Sequence, residues 1–230
     1  MAVQVVGAGG SIAEVGAFAA KGLHIIPKPT DYGTLGHYRL SVVSGTLAAA
    51  LAANAVVFSA RWGDATRFAA VTSFRTRFLP LTLFTAATLT DHTSFDLFIG
   101  RSFTAAHTGG TGLTLTGDNN AVRASMGSSL FSDVRMATTA ALGGGTVTLD
   151  AQPIAQSIRK GNRVNPAAAT EETIQPTYDG LNLDVNISNG EHPIIFAQNE
   201  GFVLRNRTVW PAAGTGILLV EMNWAEVTAY

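Results

Sequence analysis

The sequence contains no cysteine, and this absence excludes a disulfide framework, a thiol nucleophile and a thiolate metal site. Charge is also scarce, since Asp, Glu, Lys and Arg make up 13% of the 230 residues, about half the usual share. The net charge of −1 gives no overall field that would attract nucleic acid or an anionic membrane. The surface must therefore consist largely of Thr, Ser, Asn, Gly and Ala, which protects it poorly against association with other proteins.

Long hydrophobic runs are missing as well. No stretch approaches the roughly 18 consecutive apolar residues that a membrane-spanning helix requires. The N-terminus has neither the charged start nor the apolar core of a signal peptide. We therefore expect synthesis in the cytoplasm without export by the usual route, so that a role outside the cell would require lysis or a particle that carries the protein.

Residue patterns that carry catalysis or ligand binding are absent or incomplete. The histidines are scattered, and His92, which lies near Asp91 and Asp96, falls in a Thr-rich stretch that we interpret as a solvated loop. The segment 5–12 looks like the start of a dinucleotide-binding fingerprint, but Ile12 occupies its third glycine position and no strand–helix alternation follows. We therefore predict no catalytic, cofactor or metal site, no enzyme activity and no small-molecule substrate.

What the sequence does contain is a succession of short strands with alternating hydrophobicity. Three apolar runs follow one another from Pro193 onward, separated by turn-forming residues at 199–201 and 211–216. The connections are too short for a crossover helix, so the pattern predicts antiparallel pairing. In the last run, Ile217–Val227, the expected inward positions are Leu218, Val220, Met222 and Trp224, and the expected outward positions are Glu221 and Asn223.

The same alternation recurs upstream and predicts strands over 37–42, 55–62, 68–79, 95–103, 134–139 and 146–149. The strand over 68–79 has two distinct faces, with Phe68, Phe74 and Phe78 on one and Ser73, Arg75 and Arg77 on the other. The Ala-rich stretch 45–54 fits either a short helix or a segment that lines the core. The side chains expected to be mostly buried between two sheets are Phe58, Trp62, Phe74, Phe78, Phe95, Leu97, Phe202, Leu218, Val220 and Trp224.

These features predict an all-β fold, an antiparallel two-sheet sandwich of the jelly-roll type. We expect residues 1–33 to form an N-terminal arm and residues 34–230 to form a single β-sandwich domain. Periodicity fades over 150–193, which we interpret as a long irregular insertion before the last strands. Connections of this length without regular structure are usually functional or disordered.

The irregular segment carries the main candidate for an interface. Arg159, Lys160 and Arg163 form a basic cluster, and the nearby Glu171 and Glu172 largely cancel its charge. This balance favours inter-subunit salt bridges or a solvated loop over phosphate binding. Arginine outnumbers lysine twelve to three, and its planar guanidinium suits ordered contacts across interfaces.

Several short sequence segments of strand and turn residues are spread over most of the chain. They are Tyr32–Gly33 with Leu35–Leu40, Phe58–Trp62, Ala137–Leu142 with Thr148–Pro153, Asn199–Asn206, and Asn223–Val227. Together they resemble the virion structural proteins of tailed bacteriophages. The resemblance implies a component of the virion, and its closest functional analogy is a jelly-roll decoration or cement protein on the outer surface of the phage head. The implied partners are the major capsid protein and further copies of the chain, as a homotrimer.

Two functions of different classes remain open. The first is a capsid decoration or cement protein that stabilises the head by protein–protein contacts. Low charge, the arm and the irregular segment favour it, because arms that order on assembly interlock subunits. The second is a tail-associated module, or a β-sandwich that binds a receptor or glycan. Glycan binding needs exposed aromatic rings, and Trp62, Trp210 and Trp224 fall within or beside predicted strands, which disfavours it.

Overall fold

The computed structural model describes residues 5–6, 12–13, 36–82, 92–116, 120–122, 126–160, 180–185 and 191–228. The chain divides into two compact units, Met1–Asp31 and Tyr32–Tyr230. The strands are β1 (Val5–Val6), β2 (Ile12–Ala13), β3 (His37–Val43), β4 (Val56–Trp62), β5 (Phe68–Pro80), β6 (His92–Ala105), β7 (Thr111–Gly112), β8 (Phe131–Met136), β9 (Thr146–Leu149), β10 (Ala155–Lys160), β11 (Asn182–Asp184), β12 (Ile194–Phe196), β13 (Gly201–Asn206) and β14 (Gly216–Val227).

In the first unit, β1 pairs with β2 in an antiparallel ladder. The glycine-rich stretch between them therefore joins two strands, whereas a dinucleotide-binding fingerprint would lead from a strand into a helix. Among the described residues, no helix is both long and apolar enough to cross a membrane.

The second unit is built from two antiparallel sheets. The larger sheet has the order β10-β6-β13-β4-β8-β7, with β9 also paired with β6. The smaller sheet has the order β11-β5-β14-β3, with β12 also paired with β5. The sheets pack face to face, so the predicted all-β sandwich is confirmed, and the strand order is consistent with a jelly roll.

The core lies between the two sheets. All ten side chains predicted to be buried are at most 7% exposed, which confirms that prediction. Aromatic rings bridge the sheets: Phe74 of β5 lies 5.8 Å from Phe58 and 5.0 Å from Phe202, measured between ring centroids. At one end of the sandwich Trp224 meets Phe131 edge-on at 5.2 Å. These contacts hold the sheets together by burying large rings in close-packed arrangements.

The prediction for Phe68 was wrong. The alternation placed it on the same face as Phe74, but Phe68 packs in a separate small apolar cluster with Ala70 and Ala225. The register between β5 and β14 shifts at this point, because Asn223 lies opposite Ser73 while Trp224 lies opposite Val71. One extra residue in β5 reverses the alternation, so every side chain before it points to the opposite face.

The Ala-rich stretch 45–54 lines the core and does not form a helix. Ala50 and Asn54 have positive φ angles of 58° and 59°, which interrupt any right-handed helix. Leu47 and Leu51 are buried, and Leu47 bridges to Gly216 at the start of β14. The segment is therefore held by two leucine side chains and a backbone contact.

Candidate functional site

The predicted interface cluster is described only at its beginning. The backbones of Arg159 and Lys160 end β10, an edge strand of the larger sheet, where they lie opposite Thr93 and His92. The rest of the predicted cluster lies outside the described residues: Arg163, Glu171 and Glu172. Charged residues are common on edge strands because they oppose pairing with other chains.

The interpretation of His92 as part of a solvated loop was wrong, because His92 begins β6. The β-branched and aromatic residues that follow it favour a strand. Asp96 lies within the same strand and is only 7% exposed. In the described part of the chain, no three His, Asp or Glu side chains form a group that could hold a metal ion.

The two sheets have outer faces of different character. On the larger sheet, the outward side chains form what we call the covered face: Ser59, Asp96, Phe98, Asp133, Arg135, Val203 and Arg205. Ser59 and Val203 lie at its centre and are 1% and 0% exposed, although they point away from the core. Such burial on an outer face means that other parts of the chain lie over it.

Residues 105–110 contribute to this cover. Arg135 Nη1 donates to Gly109 O at 3.1 Å, and Thr108 exchanges backbone hydrogen bonds with Gly143 at 2.6 and 3.1 Å. The Phe103 ring lies where a side chain at Gly100 would stand, so a glycine is required there. Phe103 in turn contacts the edge of His107, with the ring centroids 6.1 Å apart.

The charges of the covered face are largely engaged within the chain. Asp96 accepts from Arg207 Nε at 2.9 and 3.0 Å and from Nη2 at 2.5 Å. Asp133 accepts from Arg135 Nε at 3.0 Å. The guanidinium of Arg205 lies 5.3 Å from the Phe98 ring centroid, and burial lowers the Arg205 pKa.

Burial also lowers the pKa of His107, with a smaller opposing influence from the nearby Asp133 carboxylate. Within the described residues, His107 Nδ1, Asp133 Oδ2 and Arg205 Nε are buried without a hydrogen-bond partner. Polar atoms of this kind are commonly satisfied by internal water. The covered face therefore has the chemistry of a buried polar layer, which contributes to folding.

The outer face of the smaller sheet is different, and we call it the open face. It is formed by the outward side chains of β3 from Arg39 onward, of β5 from Ser73 onward and of β14 up to Asn223: Arg39, Ser41, Val43, Ser73, Arg75, Arg77, Leu79, Ile217, Leu219, Glu221 and Asn223. Each of them is exposed or half-buried. The two faces thus differ in what solvent, or a partner protein, can reach.

One half of the open face is polar and slightly hollow. A depression with a volume of about 400 Å³ is lined by Arg39, Leu40, Ser41, Ser73, Arg75, Asn120, Glu221 and Asn223. Arg75 donates from Nε and Nη2 to the two carboxylate oxygens of Asp184, at 3.0 and 2.6 Å. These hydrogen bonds raise the pKa of Arg75. Asn223 Nδ2 donates to Ser73 Oγ at 2.8 Å.

The other half of the open face is apolar. Leu219 lies opposite Val43 on one side and opposite Arg77 on the other, and the next outward pair is Ile217 with Leu79. Val43 is 54% exposed, which is unusual for an aliphatic side chain in a strand. An apolar region bordered by arginine and other polar groups has the composition of a protein–protein interface.

Comparison of the chain with family models, with curated proteins and with solved structures finds no match.

Sequence reasoning identified parts of the open face without recognising it as one surface. It predicted that Ser73, Arg75, Arg77, Glu221 and Asn223 point outward, and the structure confirms this. It missed that β3 and β5 flank β14. The only available signal was that all three strands carry charge or hydroxyl groups at alternate positions.

Proposed function

We propose that this chain is a structural component of a tailed-bacteriophage virion, a capsid decoration or cement protein that stabilises the head by protein–protein contacts. The observation that carries the proposal is the open face, a broad exposed surface with an apolar half and an arginine-bearing polar half. Surfaces of this composition serve docking between proteins. The sequence resemblance to phage virion proteins suggests that this docking takes place on a phage particle.

The low charge of the chain supports the same proposal. Only 13% of the residues are charged, so little electrostatic repulsion keeps copies apart. The proposed partners are the major capsid protein and further copies of the chain, and the resemblance suggests a homotrimer. A closed ring of copies covers exposed apolar surface without growing into a fibre. We assign the contacts with the capsid to the arm, residues 1–33, and to the segment 150–193.

The second candidate function is a tail-associated or receptor-binding module. The depression around Arg39 and Glu221 favours it, because guanidinium, carboxylate and hydroxyl groups also bind polar ligands. Stacking of a sugar on tryptophan is not available, since Trp62, Trp210 and Trp224 are at most 1% exposed. Protein docking therefore remains the better-supported proposal.

The test is binding to phage heads assembled without this protein. We expect the full-length chain to bind the heads, and a variant lacking residues 1–30 to bind them poorly. The strands of the sandwich all lie beyond that segment, so the truncated protein should fold and keep its melting temperature. Thr104→Ala, which removes an exposed hydroxyl outside both faces and outside the two assigned segments, serves as the control and should bind normally. Equal binding by full-length and truncated protein would contradict the proposed role of the arm, and binding to tails or cells alone would favour the second function.

A further inference from the structure

Two opposite charges on the polar half of the open face make no ion pair with the residues that the structure describes. Arg39 of β3 and Glu221 of β14 belong to neighbouring strands, because Arg39 lies opposite Asn223, two residues from Glu221. Among the described residues, neither side chain makes a hydrogen bond or an ion pair. Glu221 lies opposite Arg75 and helps to raise the Arg75 pKa, but the Arg75 guanidinium itself is held by Asp184. The polar half of the open face therefore presents a guanidinium and a carboxylate, on neighbouring strands, that are not engaged in an ion pair with the described residues.

This pattern restricts what can dock there. A partner that satisfies both groups must itself present a carboxylate and a cation at matching positions. A purely acidic or purely basic partner would satisfy one group and leave the other unpaired or repelled. A second copy of the chain meets the requirement by construction, since it carries the same pair on the same face.

We infer that the open face binds the open face of a second copy through a two-fold axis. An axis that lies in the interface, midway between Arg39 and Glu221, brings Arg39 of each copy against Glu221 of the other. Such an isologous contact uses one patch twice and forms both ion pairs together. Leu219 and Val43 lie in the adjacent row, and a contact of standard size, about 800 Å² on each copy, extends beyond the charged pair to cover them.

The inference rests on the proposed function in one respect, since both treat the open face as an assembly surface. A two-fold contact pairs two single copies, or two copies that belong to different rings, so it is compatible with a homotrimer on the head. It is tested with purified protein in solution, whereas the proposed function is tested on heads.

The experiment measures molar mass against protein concentration by sedimentation for the full-length chain and for charge-reversal variants. The wild type should form species whose mass is an even multiple of 24.0 kDa. Arg39→Glu and Glu221→Arg should each weaken the pairing about tenfold or more, because like charges then face each other across the axis. Thr104→Glu introduces a carboxylate at an exposed residue outside the open face and should pair like the wild type.

Two further samples separate pairing from a general effect of the substitutions. The double variant Arg39→Glu/Glu221→Arg exchanges the two charges and should recover pairing. An equimolar mixture of the two single variants should form mixed pairs, because one variant then offers two carboxylates and the other two guanidinium groups. Melting temperatures of all variants should match that of the wild type, since both residues are accessible to solvent.

A wild type that stays monomeric at all concentrations would overturn the inference. Unchanged pairing in Arg39→Glu would do the same, and so would a double variant that pairs no better than the single ones. If pairing fails while the full-length chain still decorates heads, the inference is wrong and the proposed function stands. If pairing holds while heads are not bound, the proposed function is wrong and the two-fold contact stands.

Discussion

The outer faces of the two sheets belong to the same sandwich but are used differently. On the covered face the central residues Ser59 and Val203 are fully buried, and residues 105–110 contribute to the cover. On the open face each of the named side chains is exposed or half-buried, and Val43 is 54% exposed. A sandwich needs only the faces between its sheets for its core. The open face is therefore available for a role outside folding.

Two arginine–aspartate pairs, one on each face, show how solvent exposure differs between the faces. Arg207 with Asp96 on the covered face and Arg75 with Asp184 on the open face are both bidentate. The side chains of Arg207 and Asp96 are 30% and 10% exposed, whereas those of Arg75 and Asp184 are 50% and 38% exposed. The same hydrogen-bond geometry thus occurs in a partly desolvated and in a solvated setting, and solvent decides how much each pair stabilises the fold.

The largest expected effect concerns the core between the two faces. Trp224 is fully buried, stacks on Tyr38 at 5.6 Å and meets Phe131 edge-on at 5.2 Å. We expect Trp224→Ala to lower the free energy of unfolding by about 3–5 kcal/mol, because it leaves a cavity that the surrounding rings cannot fill. Denaturant unfolding measures this, and Trp224→Phe should lose clearly less. An unchanged midpoint would contradict the register assigned to β14.

The next effect distinguishes the two faces directly. Asp96→Ala should lower the free energy of unfolding by about 1–3 kcal/mol, because it leaves Arg207 without its partner in a partly buried site. Asp184→Ala should cost less than about 1 kcal/mol, because Arg75 can return to water. Parallel denaturant curves of the two variants give both values. Equal losses would mean that the two faces do not differ in solvation as described.

The stability that the covered face contributes to the fold should also depend on pH. Burial holds the pKa of His107 below its ordinary value of 6.5, so the unfolded chain binds the proton first as the pH falls. The stability contributed by neutral His107 is therefore fully present above about pH 6.5 and is lost as the pH falls through the lower pKa of the folded state. Wild type should lose melting temperature between pH 7 and pH 5 faster than His107→Gln.

The pKa of His37 is also lowered by burial, but His37 is common to both proteins and its effect cancels in the comparison. Parallel slopes would show that His107 is accessible to solvent.

The smallest expected effect on stability belongs to the open face. Val43→Thr replaces an exposed apolar side chain with a polar one of similar shape, so the free energy of unfolding should change by less than about 0.5 kcal/mol. Self-association should nevertheless weaken, because Val43 lies within the proposed two-fold contact. Sedimentation and denaturant unfolding of the same variant measure the two quantities. A large loss of stability would place Val43 in the fold and not in an interface.

Most of the strands were predictable from the sequence, because alternation within one strand is a local property. The strand β9 agrees with its predicted range, and the predicted inward residues of β14, together with Phe58 and Trp62 of β4, agree with the observed core. Two local features of the structure could not be predicted from alternation or composition. The register shift opposite Asn223 reversed the face of Phe68, and the positive φ angles of Ala50 and Asn54 ruled out a helix where composition allowed one.

The open face was not predictable, for a physical reason. It requires β3, β14 and β5 to lie side by side, although β3 and β14 are far apart in the chain. Strand order depends on long-range packing, which alternation does not encode. Arg39, Arg75 and Glu221 could each be predicted as outward residues, but only the sheet order makes them neighbours. The covered face was missed for the same reason, since Asp133 and Arg205 come close enough to influence the His107 pKa only through the fold.

The most direct test of the central claim is single-particle electron microscopy of the intact virion. We predict density for the β-sandwich on the outer surface of the head, with Arg39 and Glu221 of each copy covered by the open face of a second copy. Density for this chain in the tail, or on the head with the open face turned to solvent, would contradict the account.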